Sequence, residues 1–94
     1  MNFRFYIDPD TEQPHIYKHD VDENEVKDVM LNALEHRPGR DGAHLALGQT
    51  RGGRYLRVIY KPDDYPPGSF FIITAFDIRG NELRSLRRRQ RRRG

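Results

Sequence analysis

The sequence has 94 residues, enough for one domain with a small core, since a chain of this size buries only about 60–65% of its unfolded surface. With 35% hydrophobic and 33% charged residues it is globular at its polar end rather than disordered. No apolar run of about 18 residues is present, so no membrane span is expected, and the absence of cysteine excludes disulfides, thiolate zinc sites and a cysteine nucleophile. "MNFRFYIDPD" lacks the apolar region of a signal peptide, and a cytoplasmic location is expected. The net charge of +3 is unevenly placed. Residues 1–83 carry ten Lys and Arg against fourteen Asp and Glu, a net −4, and residues 84–94 contribute seven arginines. An acidic body with one cationic edge suits phosphate, or an acidic partner, met at a defined place.

"NFRFYI" (2–7) alternates polar and apolar residues as a half-buried strand does, and Asp8-Pro9-Asp10 breaks it. "PHIYKH" (14–19) reads as a turn or 3₁₀ segment. A helix is predicted over 22–36. Asp22 is its N-cap with Glu25 completing a capping box, and Val21 and Val26 are placed as a hydrophobic staple. Val26, Val29, Met30, Ala33 and Leu34 form its apolar stripe, His36 and Arg37 fill its last turn, and Pro38-Gly39 ends it. Val29 and Leu34 are expected in the core. "AHLALGQT" (43–50) and "GRYLRVIYK" (53–61) form a tight hairpin through Arg51-Gly52. "PDDYPPGS" is a loop. "FFIITAF" (70–76) is the central strand, buried on both sides. A last helix starts near Asn81 or Glu82, docked by Leu83 and Leu86. No apolar residue follows Arg87, so the end is expected to fray without a partner. The order is β-α-β-β-β-α, an α+β domain over 1–83 with an arginine-rich helix end or tail over 84–94.

On a helix, Arg84, Arg88 and Arg92 share one stripe, and Arg87 and Arg91 another. Like charges at that spacing repel, and a phosphate backbone reverses the effect. The segment resembles arginine-rich viral RNA-binding peptides; a solvated tail, or one pairing with an acidic protein, is the alternative. Along 53–61, Arg54, Leu56, Val58 and Tyr60 share one face, and Tyr55, Arg57, Ile59 and Lys61 the other. The second set offers Arg57 and Lys61 as phosphate clamps and Tyr55 as a base-stacking surface. Arg54 sits at the strand start, where solvent or substrate meets it. Each reads equally as an ordinary surface residue. His15 and His19 are four apart, but zinc needs a third ligand and no His-Glu-x-x-His motif is present. No metal or cofactor is expected.

"KHDVDENEV" before an amphipathic helix resembles the "KHGV…EE" opening of BrnT-type toxins. "LALGQTRGGRYLRVIY" resembles their strand pair, with Gly48, a turn and Val58. "FFIITAFDIRGNELRSLRRR" resembles their closing strand and helix, "IISAR…E…R". The likeness spans about residues 15–90 and extends to the broader relatives of that family. It implies a RelE-like fold, an antiparallel sheet with helices packed on one side. It also implies the toxin-like half of a type II toxin–antitoxin module: an endoribonuclease acting on mRNA or ribosome-associated RNA, neutralised by an antitoxin. One position departs from the pattern. The arginine that follows the alanine ending the last strand is replaced here, Ala75 being followed by Phe76 and Asp77. Either the tail supplies that charge or the chain does not cleave RNA.

A metal-free ribonuclease needs a base for the 2′-hydroxyl, cations for the phosphorane and an acid for the 5′-oxygen. His19 suits base or acid, or is a polar turn residue before the helix. The candidate catalytic set is His19, Arg54 and Arg57. Tyr55, Lys61, Arg84, Arg87, Arg88, Arg91 and Arg92 are the candidate RNA-binding residues. Glu82 orients an arginine or caps the helix. The alternatives are a non-catalytic RNA- or ribosome-binding module and an interaction protein docking an acidic partner.

Overall fold

The computed structural model describes residues 1–93; Gly94, the last residue of the expected tail, lies outside the described residues. The elements in order are β1 (Asn2–Phe5), a 3₁₀ segment (His15–His19), α1 (Glu23–Leu31), β2 (Glu35–Pro38), β3 (His44–Gln49), β4 (Tyr55–Pro62), β5 (Ser69–Asp77) and α2 (Gly80–Arg93). The strands form one sheet in the order β1-β5-β4-β3-β2. The α+β class holds.

The sheet is mixed rather than antiparallel throughout. β1 pairs with β5 in parallel, placing Phe3 opposite Phe70 and Phe5 opposite Ile72. That register extends the apolar face of β5 outward, with the Phe3 and Phe70 rings stacked at 6.1 Å. The other neighbours are antiparallel.

The expected helix over 22–36 is shorter and is followed by a strand. Its start is as predicted: Asp22 Oδ1 accepts from Glu25 N at 2.8 Å and Glu25 Oε1 from Asp22 N at 3.1 Å, while Val21 and Val26 are buried. The helix stops at Leu31, and residues 35–38, where the helix was expected to end, become β2 on the edge of the sheet. Leu34 N already donates to Leu47 O at 2.8 Å, so pairing with β3 replaces the helical hydrogen bonds. Val29 is fully buried, but Leu34, beyond the helix, is only half-buried and does not join the core. Leu56→Ala, at a fully buried position, is expected to cost about 2–5 kcal/mol. Leu34→Ala should cost under about 1.5 kcal/mol, because a partly exposed site loses less transfer energy and leaves no closed cavity. Chemical denaturation of both variants checks this; equal costs would contradict the placement of Leu34.

Strand alternation divides the core in two. Ala46, Leu56, Val58, Ile72 and Ala75 face Ile16, Val21, Val26, Val29 and Met30 of the 3₁₀ segment and α1. Gly48 lets α1 come close: a Cβ there would lie 3.2 Å from Val29 Cγ1. On the opposite face Leu47 meets Leu86 of α2 and Ile78 before it, flanked by Tyr55 and Leu83. The two helices therefore cover opposite faces, not one side. Leu83 and Leu86 dock α2 as expected, but onto the face that α1 leaves open.

α2 continues past Arg87 and runs to Arg93. One of its arginines is tied to the sheet. Arg89 Nε donates to Glu35 Oε2 at 2.6 Å and Arg89 Nη2 to Glu35 Oε1 at 3.0 Å, with Arg37 Nη2 adding a bond of 2.8 Å. The Arg89 fork, helped by Arg37, lowers the carboxyl of buried Glu35 to about 2 against desolvation. Its folded value is thus depressed. The stability it gives is present above the ordinary carboxylate range and is lost as pH falls toward 2. Arg89→Gln should therefore lower stability at neutral pH and flatten its fall between about pH 4.5 and 2. Urea melts across that window test this; an unchanged acid slope would show that the fork contributes nothing.

Candidate nucleic-acid interface

β1 pairs with β5 only as far as Phe5 and Ile72. Tyr6 N adds one more bond to Ile72 O at 2.8 Å, and the 3₁₀ segment then packs along the rest of β5. Ile16 of that segment is buried in the core, which leaves His15, Tyr17, Lys18 and His19 at the rim of the sheet. Four rings line up there. Tyr6 and His15 are 6.0 Å apart, His15 and His19 5.6 Å at 72°, and His19 and Phe76 5.7 Å. The row ends on a cation, Arg57 Cζ lying 5.7 Å from the centroid of Phe76. Beside it is a cleft of about 580 Å³ lined by Lys18, His19, Phe76, Asp77 and Arg79.

Behind the row sits buried Asp8, read from sequence only as a strand breaker. The Ile7–Pro14 bridge closes the loop that returns it to the 3₁₀ segment. Its Oδ2 takes Lys18 Nζ at 2.7 Å and His15 Nδ1 at 3.1 Å, and its Oδ1 takes Asp10 N at 2.9 Å. Lys18, the Asp10 amide and His15 hold this carboxyl well below the usual carboxylate range. An ionised carboxylate only accepts. His15 Nδ1 is therefore the donor in this pair. Asp20, which closes the segment, has φ +58°, the left-handed conformation that favours glycine and tolerates aspartate.

The expected catalytic set is only partly available. His19 is exposed at the rim. Arg54, a quarter exposed at the strand start, is tied up in ion pairs. Its Nε and Nη2 donate to Asp77 at 2.7 and 3.2 Å, and its Nη1 to both Glu25 oxygens at 3.2 Å. It also donates to the carbonyls of Asp20 and, at 3.1 Å, His19. Asp77 and then Glu25 raise its pKa further, against desolvation. Arg54 thus bolts the end of the 3₁₀ segment to α1 and β5 and positions His19 from behind. Arg57 is half-buried under α2 and paired with Glu82, so Glu82 orients an arginine.

The expected RNA-binding residues are only partly brought together. Tyr55 is half-buried against α2, with Arg87 Cζ 5.1 Å from its ring centroid, and lines an open cleft with Arg87 and Arg91. Lys61 is exposed but lies away from the rim. Its partner on β5 is Phe71, whereas the row passes through Phe76, opposite Arg57. Lys61 instead borders a groove with Leu45, Ile59 and Ile73. Arg84, Arg87, Arg88, Arg91 and Arg92 are exposed along α2. Among the described residues no group of three or more His, Cys, Asp or Glu could hold a metal ion, and no helix is long and apolar enough to cross a membrane. No family model, curated protein or solved structure matches the chain.

Proposed function

We propose that the rim binds single-stranded RNA and cleaves it without a metal, His19 acting as a proton-transfer group. In that reading the chain is a RelE-like, BrnT-like toxin component acting on mRNA or ribosome-associated RNA in the cytoplasm, with an acidic antitoxin as a partner. The observation that carries it is the row Tyr6–His15–His19–Phe76 with Lys18, Arg57 and Arg79 around it. Rings spaced along a cationic edge suit successive unpaired bases and their phosphates. The left-handed Asp20 stands where the BrnT-like "KHGV" pattern has glycine, which favours that resemblance.

The second reading, binding without cleavage, is favoured by a different observation. Arg54 is spent on Asp77 and Glu25, and Phe76 occupies the position of the family arginine, so the rim is poorer in free cations than a phosphorane needs.

RNA binding is tested by titrating labelled single-stranded and duplex RNA. Single strands should bind more tightly. Tyr6→Ala should cost about 1–3 kcal/mol, the value of one base–aromatic stack. Replacing Arg88, Arg91 and Arg92 by Gln should flatten the salt dependence, by roughly 0.7 per lost phosphate contact on single strands. Equal affinity for duplex and single strands, untouched by Tyr6→Ala, would refute the stacking row.

A further inference from the structure

We infer that His15 is the general base of the rim, with Asp8 as its positioning residue and His19 as the acid. This inference rests on the reading of the rim as an RNA-cleaving site. Three features of His15 set it apart from His19. Its Nδ1 is held by a buried carboxylate at 3.1 Å, which fixes both the ring orientation and the tautomer. Its other nitrogen is left as the acceptor. Its ring lies 5.6 Å from His19, edge to face, so the two imidazoles can meet opposite oxygens of one phosphodiester.

Lys18 shares the same carboxylate oxygen at 2.7 Å. A second cation on Asp8 keeps the carboxylate ionised while His15 becomes positively charged. His19 has no comparable carboxylate: its ring packs on His15 and Phe76, and Arg54 holds its backbone carbonyl. The imidazole oriented by a carboxylate suits proton abstraction, and the one without a carboxylate partner suits delivery to a leaving group.

The step balances without a co-reactant. His15 Nε2 takes the proton of the 2′-hydroxyl as the 2′-oxygen forms its bond to phosphorus. The bond from phosphorus to the 5′-oxygen breaks, and protonated His19 gives that oxygen its proton. The products are a 2′,3′-cyclic phosphate and a 5′-hydroxyl. His15 ends protonated and His19 neutral, and solvent exchange restores both.

The test compares two substrates that differ only in the leaving group: a single-stranded RNA, and uridine 3′-(4-nitrophenyl phosphate), whose phenolate leaves without an acid. His15→Asn places an amide N–H where Nδ1 donates to Asp8 and so keeps that hydrogen bond; thermal melts of both variants confirm the fold. His15→Asn should lose a factor on the order of 10²–10⁴ on both substrates, and His19→Ala should lose it on RNA alone. Asp8→Asn should lower cleavage of both substrates through His15. Wild-type rates for His15→Asn on RNA would overturn the role of His15 while leaving the rim reading intact. Retention of the aryl ester by His15→Asn with its loss in His19→Ala would exchange the roles and overturn His15 as base. Wild-type protein that cleaves neither substrate would end the cleavage reading itself and this inference with it.

Discussion

Arg54→Ala should cost about 2–4 kcal/mol of stability, below the 3–5 kcal/mol of a fully buried pair because a quarter of the side chain remains exposed. The substitution strands two partly buried carboxylates, Asp77 and Glu25, and frees the carbonyls of His19 and Asp20. Arg54→Lys should rescue little, because an ammonium cannot span both carboxylates and the two carbonyls in one planar fork. The damage should be local first. Amide exchange in residues 15–20 should accelerate more than in β3 or β4, since the 3₁₀ segment loses its bolt while the sheet keeps its ladder. Denaturant melts and hydrogen exchange on the two variants measure this. A cost below about 0.5 kcal/mol, the level of an ordinary surface change, would mean that the fork is ornamental.

His19→Ala should reduce RNA cleavage by a factor on the order of 10²–10⁴ while leaving the melting transition in place. The ring is exposed and rests on His15 and Phe76 at the surface, so its removal opens no cavity. RNA binding should persist, because the exposed arginines of α2 and the other three rings remain. The contrast with Arg54→Ala tests the two proposed roles, proton transfer for His19 and holding it in place for Arg54.

Local features were legible in the sequence. The capping box at Asp22 and Glu25, the staple of Val21 and Val26, the β3–β4 hairpin and the docking leucines of α2 all depend on neighbours within a few residues. β2 was hidden because Leu34 continues the helical stripe; only pairing with β3 turns residues 35–38 into a strand. The parallel β1–β5 pairing joins residues some 67 apart in the chain, beyond any periodicity. The same holds for the site. Alternation correctly placed Tyr55, Arg57 and Lys61 on one face, but a shared face is not proximity, and Lys61 is four positions from Arg57. Alternation also placed Arg54 with Leu56 on the α1 face, a signal that it points at α1 rather than at solvent. Asp8 had only a local turn contact with Asp10 N to mark it, since its side-chain partners His15 and Lys18 lie seven and ten residues on. Nothing local singled out Arg89 among seven arginines as the one that reaches Glu35.

The most direct measurement is cleavage of one defined single-stranded RNA by wild-type protein and His19→Ala side by side, with and without a chelator, reading the new ends. A metal-free rim built on imidazoles predicts wild-type fragments ending in a 2′,3′-cyclic phosphate, unaffected by the chelator, and far fewer from His19→Ala. RNA left intact by pure wild-type protein at every pH, or equal cleavage by the variant, would contradict it.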